Sequence, residues 1–196
     1  MAAQYITVSG APHLNGLAVE DLNNDGLPEL IVNTVQQQNI YILKNNSTTG
    51  AFSFGTPTTL TMPGSIVNLT VGDLDNDGKP DIAYGNISQS NIGIFRNTST
   101  SSTINFASAK TYGVGARIWG ISIGDVDGDG SQDIVGVSHV APNVISVLMN
   151  NSTSGNISFT AESIPIGAQS RNIKMGDMNQ DGKPDFVFLD IDNHKV

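Results

Sequence analysis

The sequence predicts an all-β fold built from repeated four-stranded antiparallel units, the arrangement found in β-propellers. An acidic segment of the type DLDNDGKPDI occurs four times, and its copies begin at Asp21, Asp73, Asp125 and Asp177, so that successive starts differ by 52 residues. Short strand-like segments flank every copy, and no segment shows the periodicity of a helix. A repeat of this length with strand-like contents is typical of propeller blades or a related array.

Each repeat supplies four strands in a constant order. In the first copy, GLAV (residues 16–19) alternates apolar and small residues before the acidic segment, and the run ELIVN (29–33) follows it. The third strand, IYIL (40–43), leads into a polar linker, after which the fourth strand is predicted within FSFGTPTTL (52–60). The next copies place the fourth strand in INFASAKTY and ISFTAESIP. The acidic segment therefore joins the first and second strands of a blade.

By this count the chain, residues 1–196, is a single propeller or propeller-fragment domain with three whole blades and two strands of a fourth. The opening QYITVSG (residues 4–10) aligns with the fourth strand of a blade. An open array leaves unpaired strand edges that invite association. We therefore expect either that the fourth blade closes on this N-terminal strand or that the ends pair with another copy. A fragment of a longer protein is equally consistent with the sequence.

Composition argues against several classes of function. The net charge of -9 argues against nucleic-acid binding, which depends on Lys and Arg side chains that neutralise phosphates. The chain has no cysteine for thiol chemistry, and no apolar run approaches the roughly 18 to 20 residues that cross a bilayer. The opening MAAQYITVSG shows no export signal. With only three histidines, and with its carboxylates concentrated in the acidic segments, the chain is not expected to be an enzyme.

The acidic segments hold 14 of the 18 Asp and Glu residues. We number them loop 1 (residues 21–29), loop 2 (73–81), loop 3 (125–133) and loop 4 (177–185), each with nine positions. The pattern D-x-[DN]-x-D-G-x-x-[DE] offers side-chain oxygens at positions 1, 3, 5 and 9, a backbone carbonyl at position 7, and a glycine for a sharp turn at position 6. Hard oxygen donors in a tight loop suit Ca²⁺ better than Mg²⁺, which predicts about four Ca²⁺ ions per chain.

Two other calcium loops begin with a similar pattern. EF-hands and dockerins need an acidic ligand at position 12 and a following helix, but here position 12 is Val, Tyr, Gly or Phe and strand-like sequence follows. Because affinity rises with ligand charge, loops 2 and 3, with Asp at position 3, are expected to bind more tightly than loops 1 and 4, with Asn. The predicted ligands are Asp21, Asn23, Asp25, Leu27 and Glu29; Asp73, Asp75, Asp77, Lys79 and Asp81; Asp125, Asp127, Asp129, Ser131 and Asp133; and Asp177, Asn179, Asp181, Lys183 and Asp185.

The acidic loop, with GD or ED before it and DI-like sequence after it, resembles the FG-GAP/VCBS repeats of integrin α-subunit propellers and many bacterial surface proteins. The resemblance covers essentially the whole chain. The Gly-Ala-Pro that often follows the second strand of FG-GAP repeats is missing, so the chain is more similar to the VCBS branch. The resemblance implies a ring of about seven or eight blades. A homodimer of this chain would complete an eight-bladed ring.

Two classes of function follow from these observations. The favoured one is a non-enzymatic, calcium-stabilised module for binding or adhesion, located outside the cell or at its surface, where millimolar Ca²⁺ fills weak sites. The alternative is a scaffold or accessory fragment of a polysaccharide-active enzyme. No lysine- and arginine-rich surface for nucleic acid and no membrane span is expected.

A carbohydrate or protein ligand is expected on the face opposite the acidic loops. The connections into the first strands open on that face, and their residues differ between blades while the framework repeats. The single tryptophan, Trp119, either stacks on a ligand or packs between blades, and His13 and Arg171 are also candidates for solvated loop positions. The predicted ligand-face residues are His13, Asn15, Arg117, Trp119, Gln169 and Arg171.

Overall fold

The structure, a computed structural model, describes residues 5–8, 10–11, 13–35 and 37–196. Within these ranges the chain forms fourteen β-strands and no helix. Among the described residues, no helix has the length and apolar character that crossing a membrane requires. The strands are β1 Leu14–Glu20, β2 Glu29–Thr34, β3 Asn39–Leu43, β4 Thr58–Thr61, β5 Ile66–Gly72, β6 Asp81–Asn86, β7 Asn91–Phe95, β8 Lys110–Gly113, β9 Ile118–Gly124, β10 Asp133–Ser138, β11 Val144–Asn150, β12 Phe159–Pro165, β13 Ile173–Gly176 and β14 Asp185–Phe188.

The strands form three four-stranded antiparallel sheets and one two-stranded sheet, each in sequential order. We name them blade 1 (β1–β4), blade 2 (β5–β8), blade 3 (β9–β12) and the half-blade (β13–β14). The first strands of successive blades lie side by side, with β1 next to β5, β5 next to β9 and β9 next to β13. The fold is therefore a set of propeller blades arranged around their first strands, which confirms the predicted class.

The apolar core lies between the blades. Side chains of blades 1 and 2 form one buried cluster around Ile40 and Ile82, and those of blades 2 and 3 form another around Ile92 and Ile134. The second strands β6 and β10 are buried along their whole length because a neighbouring blade covers each face. This explains why the second strands are apolar runs rather than alternating ones.

Within the described part of the chain, no blade packs on the outer side of blade 1. Leu17 of β1 is 66% exposed, whereas the residue at the same place in blade 2, Leu69, is 6% exposed, and the one in blade 3, Ile121, is 2% exposed. Val19 of β1 is 53% exposed as well. The first strand therefore presents apolar side chains on the side where a preceding blade would pack.

The structure differs in part from two sequence-based expectations about strand positions. The fourth strands begin later than expected, at Thr58 and Lys110 in blades 1 and 2, because the preceding residues first fold back on the linker through isolated bridges. Residues 5–8 of the N-terminal segment are not in a strand, and residues 4 and 9 lie outside the described ranges. Among the described residues the half-blade consists of β13 and β14, and Val8 packs against the outer side of blade 1.

Candidate metal centres

The acidic loops join the first and second strands of the blades, as predicted. At position 6 the glycines have φ values of +86°, +83°, +89° and +85°, a left-handed conformation that glycine adopts without steric cost. Position 4 is also left-handed in all four loops, with φ between 54° and 81°, which the sequence pattern did not indicate. The residues at position 4 are Asn24, Asn76, Gly128 and Gln180.

Two carboxylates hold each loop in shape. In loop 2, the position-1 carboxylate of Asp73 accepts hydrogen bonds from the backbone N–H of Asp77 at 3.1 Å and of Gly78 at 2.8 Å. The position-5 carboxylate of Asp77 accepts one from the N–H of Lys79 at 3.0 Å. Equivalent bonds occur in the other three loops. The backbone of each loop is therefore held by hydrogen bonds to the loop's own carboxylates, as in other Asp-rich turns.

Three carboxylates converge in loops 2 and 3. Carboxylate oxygens from positions 1, 3 and 5 of loop 2 lie within 4.8 Å of one another, and so do oxygens from positions 1, 3 and 9 of loop 3. Oxygen ligands lie 2.3–2.6 Å from Ca²⁺, so two ligands of one ion are at most about 5 Å apart. The donor type and the spacing therefore fit Ca²⁺. The converging residues are Asp73, Asp75 and Asp77, and Asp125, Asp127 and Asp133.

In loops 1 and 4, position 3 is an asparagine, whose side-chain amide donates a hydrogen bond within the loop. The side-chain amide of Asn23 donates to Asp25 Oδ2 at 2.9 Å, and that of Asn179 donates to Asp181 Oδ2 at 3.2 Å. These amides hold the position-5 carboxylate through a neutral donor rather than adding a fourth negative charge to the loop. The predicted affinity order rests on the extra negative charge of loops 2 and 3. Loops 1 and 4 therefore differ from them in hydrogen bonding as well as in charge.

Asp75, at position 3 of loop 2, is a fully buried carboxylate with one oxygen left without a partner. Its Oδ2 accepts hydrogen bonds from Arg96 Nε at 2.6 Å and from the backbone N–H of Gly155 at 2.8 Å. Its Oδ1 is buried and has no hydrogen-bond partner. Leaving a buried charged oxygen unpaired costs more than a typical hydrogen bond contributes. A cation within loop 2 would satisfy this oxygen.

The ninth-position acid has a structural role that the ligand pattern did not predict. Asp81 is fully buried, and its two oxygens accept the backbone N–H groups of Leu74 at 3.0 Å and Asn97 at 2.7 Å. Glu29 and Asp133 make the same pair of bonds in loops 1 and 3. The ninth carboxylate thus joins its loop to the residue beyond the third strand. Among the described residues, no third strand follows loop 4, and Asp185 accepts the N–H of Met178 at 2.9 Å.

Burial also changes the acidity of these groups. Desolvation raises the pKa of Asp81 to about 7, although the two backbone N–H donors oppose the shift. Burial raises the pKa of Glu29 and of Asp133 for the same reason. A bound cation would act in the opposite direction, because a nearby positive charge favours the ionised carboxylate.

In blades 2 and 3, an asparagine at or just beyond the end of the third strand connects neighbouring loops. The side-chain amide of Asn97 donates to the carbonyl of Pro80 in loop 2 and to that of Leu22 in loop 1, both at 2.8 Å. Asn150 makes the same two bonds one blade further on, to loop 3 at 2.7 Å and to loop 2 at 3.0 Å. The loops are therefore linked in series. The first Asn of each repeated linker was the sequence signal for this contact.

On the opposite face the structure brings together two of the predicted ligand-face residues and one that was not predicted. The rings of Trp119 and His139 meet edge to face with centroids 4.9 Å apart, and the guanidinium carbon of Arg171 lies 5.4 Å from the Trp119 ring centroid. Arg171 Nη2 is 2.8 Å from His139 Nε2. Burial and the Arg171 charge lower the pKa of His139. His139 lies between the second and third strands of blade 3, in a connection that contains none of the predicted ligand-face residues.

The other predicted ligand-face residues are placed separately. The Asn15 side chain donates to the carbonyl of Val67, which connects blade 1 to blade 2. The backbone N–H of Gln169 donates to Asp192 Oδ2 at 3.2 Å. His13 and Arg117 are exposed. Only Trp119 and Arg171 of the six therefore form one cluster, at the boundary between blade 3 and the half-blade.

The antiparallel blades and their repeated acidic loops define a β-propeller repeat protein. A family model described as an FG-GAP-like repeat matches the chain three times, over residues 21–84, 80–136 and 125–188. The chain therefore belongs to the FG-GAP-like repeat family. This confirms the resemblance stated from the acidic loops. No curated protein sequence matches the chain.

Solved structures share the fold at low sequence identity. The chain is similar to BBS1N in a crystal structure of BBS1N in complex with ARL6DN, soaked with lead, with a TM-score of 0.60 and 13% identity over 94% of this chain and 53% of that one. A mercury-soaked crystal of the same complex gives a TM-score of 0.45 and 11% identity over 96% of this chain and 65% of that one. The chain thus spans about half the length of the lead-soaked BBS1N chain.

Proposed function

We propose that this chain is a calcium-binding, non-enzymatic β-propeller module that uses the face opposite the acidic loops to bind another macromolecule. The observation that carries the calcium part is the convergence of three carboxylate oxygens within 4.8 Å in loop 2 and again in loop 3. The unpaired buried oxygen of Asp75 supports it. The proposed ligands are the carboxylates and amides at positions 1, 3, 5 and 9 and the carbonyl at position 7, in about four sites per chain.

Calcium supplies positive charge to segments that carry most of the acid of a chain with a net charge of -9. The chain's own residues orient the donors: position 1 and position 5 bind backbone N–H groups, and position 9 fixes the loop to the third strand. Because the proposed sites are of moderate affinity, they would fill where Ca²⁺ is millimolar, which supports a location outside the cell or at its surface.

The calcium part is tested by isothermal titration of the metal-free protein with CaCl₂. We expect saturable binding, with MgCl₂ binding more weakly because the loops offer more oxygens than an octahedral ion accepts. Asp129→Ala removes an exposed position-5 ligand of loop 3 and should delete or weaken one site while the others bind as before. The absence of saturable calcium binding up to about 10 mM would contradict the proposal, since weak extracellular sites bind at 0.1–1 mM.

The ligand class is either protein or carbohydrate. BBS1N, which shares this fold, is crystallised in complex with the protein ARL6DN, which supports a protein partner. The cluster of Trp119, His139 and Arg171 combines an aromatic ring with a guanidinium group, a combination that also stacks on and hydrogen-bonds sugars. Both classes would use the connections on the face opposite the loops.

The two classes are separated by screening the calcium-loaded protein against immobilised polysaccharides. Arg171→Ala is the matched variant, because Arg171 is exposed and its loss leaves the blades intact. A polysaccharide that binds the unmodified protein and not the variant supports the carbohydrate class and this cluster. Equal binding by both proteins would contradict a role for the cluster, and an entirely negative screen would favour the protein class.

Blade 1 exposes apolar side chains on its outer side, and this exposure indicates how the propeller ring is completed. Leu17 and Val19 lie where a preceding blade would pack. We propose that this side is covered in the assembled protein, either by a second copy that completes an eight-bladed ring or by further blades of a longer chain. A molecular mass in solution equal to two chains supports the first case. A monomer at micromolar concentration in Ca²⁺ excludes it.

A further inference from the structure

Arg96 places a permanent positive charge inside loop 2. It follows β7, and its Nε and Nη2 atoms lie 2.6 Å from Asp75 Oδ2 and 2.7 Å from Asp77 Oδ2. The Asp75 side chain is fully buried and that of Asp77 is 10% exposed, so solvent screens these contacts little. A guanidinium remains charged at all physiological pH values, and its planar fork matches two carboxylate acceptors. The carboxylates at positions 3 and 5 of loop 2 therefore already have a cationic partner.

The equivalent position differs between the three whole blades. It is the residue directly before the asparagine whose backbone N–H binds the ninth-position carboxylate, and it is Lys44 in blade 1, Arg96 in blade 2 and Met149 in blade 3. Lys44 Nζ makes one contact, 3.2 Å from Asp25 Oδ2, and its side chain is 28% exposed. Met149 has no charge. Loop 2 has the strongest internal counter-ion, loop 1 a weaker one, and loop 3 has none from this position.

We propose that Arg96 acts as an internal counter-ion that takes the place of a metal in loop 2, so that loop 2 keeps its structure without calcium and binds calcium weakly. Loop 3 then binds calcium most tightly and depends on it most. This inference rests on the proposed calcium-binding function and concerns how that function is divided among the loops. It changes the affinity order expected from ligand charge, in which loops 2 and 3 are equal.

Calcium can enter loop 2 in two ways, and Arg96 is expected to lower the calcium affinity in both. If calcium replaces the guanidinium, the buried ion pairs of Asp75 and Asp77 are lost and Arg96 must move to solvent. If calcium binds beside the guanidinium, through the unpaired Oδ1 of Asp75, two positive charges lie a few ångströms apart in a site of low dielectric constant. Either route reduces the affinity. Loop 3 has three converging carboxylates and meets neither penalty.

The test exchanges the two side chains in the whole chain. Arg96→Met gives loop 2 the residue of blade 3, and Met149→Arg gives loop 3 the residue of blade 2. Met149 packs at the edge of the apolar cluster around Val135 and Ile145. Because Met and Arg both have long unbranched stems that can cover apolar surface, the exchange is expected to keep most of this packing and to change mainly the charge. Each protein is titrated with CaCl₂ by calorimetry, and its melting temperature is measured in excess EGTA and again in CaCl₂.

We expect Arg96→Met to bind calcium about tenfold more tightly at one site, a shift typical of removing a like charge from a partly buried site. The same variant should melt at a lower temperature than the unmodified protein in EGTA and recover in CaCl₂. Met149→Arg should weaken the tightest site by a similar factor and melt at a higher temperature in EGTA. These opposite shifts in calcium-free stability distinguish a counter-ion from a residue that only packs.

The outcomes separate this inference from the proposed function. Unchanged calcium affinity in both variants, with normal binding by the unmodified protein, overturns the inference and leaves the proposed function intact. A lack of calcium binding by all three proteins overturns both. If Arg96→Met does not fold, Met149→Arg decides alone: an unchanged tightest site in that variant overturns the inference.

Discussion

Asp81 and its equivalents have an observed structural role in addition to the predicted role of metal ligand. The sequence pattern predicts the ninth acid as a metal ligand, and the structure places both oxygens of Asp81 against backbone N–H groups within a fully buried site. A carboxylate accepts several hydrogen bonds at once, so these bonds leave lone pairs for a cation. The ninth acid is therefore expected to contribute to stability whether or not a metal is bound. The exposed position-5 acid of loop 3, Asp129, accepts one hydrogen bond, from the N–H of Ser131, and is expected to contribute more through the proposed metal.

This difference predicts the effect of Asp81→Asn in the absence of calcium. Asparagine has one acceptor oxygen, so one of the two buried N–H groups would face an amide donor and lose its partner. The expected cost is about 1–3 kcal/mol, or several degrees of melting temperature for a chain of this size. Asp129→Asn is the control, because its single acceptor still binds the N–H of Ser131. Equal melting temperatures of Asp81→Asn and the unmodified protein in EGTA would show that the ninth acid is not structural.

At the scale of elements, the blades are joined by hydrogen bonds as well as by apolar packing. Asn97, beyond the third strand of blade 2, binds loop 2 of its own blade and loop 1 of the blade before it. Asn45 in blade 1 donates to the carbonyl of Pro28 in its own loop at 2.9 Å. The two asparagines are otherwise alike, since the side-chain oxygen of each accepts the N–H two residues further on.

Asn97→Ala is therefore expected to destabilise the protein more than Asn45→Ala. Both variants lose a bond within the blade and leave a loop carbonyl without a donor, but only Asn97→Ala also loses a bond between blades. We expect the free energy of unfolding to fall by about 1 kcal/mol more in Asn97→Ala, the typical contribution of one hydrogen bond. Urea unfolding curves measure the difference. An equal loss in the two variants would show that the bond between loops 1 and 2 carries no net stability.

A strand was predictable from the sequence where its own residues carry the signal. Alternation and β-branched runs identified the first three strands of each blade, and the recurrent glycine identified the left-handed turn at position 6. The fourth strands were placed too early in blades 1 and 2, because Phe54 and Phe106 resemble strand residues but pair with the linker. The contact of His139 with Trp119 was not predictable, since it depends on the packing of two connections that are distant in sequence.

At the scale of the whole molecule, the net charge is expected to be coupled to the proposed metal binding. A net charge of -9 with most acid in four loops destabilises a compact state through self-repulsion. Four Ca²⁺ ions would reduce the formal charge to about -1. Among the described residues, the chain's own cations that contact the loops are Lys44 and Arg96, which lie in blades 1 and 2. Under the proposed calcium binding, loops 3 and 4 are therefore expected to depend more on metal than loops 1 and 2.

Calcium removal is thus expected to lower the free energy of unfolding of the whole chain by a large fraction of its total. A site with a dissociation constant of about 0.1 mM stabilises the folded state by about 1.4 kcal/mol in 1 mM Ca²⁺. Three such sites, with loop 2 held by Arg96, add about 4 kcal/mol, against the roughly 5 to 15 kcal/mol of a typical domain. The melting temperature should therefore fall by about 10 °C in excess EGTA and recover when calcium is restored. Equimolar Mg²⁺ should restore less of it, which separates specific coordination from general charge screening. If the melting curve is unchanged after the metal has been shown to be absent, the acidic loops hold the fold without an ion.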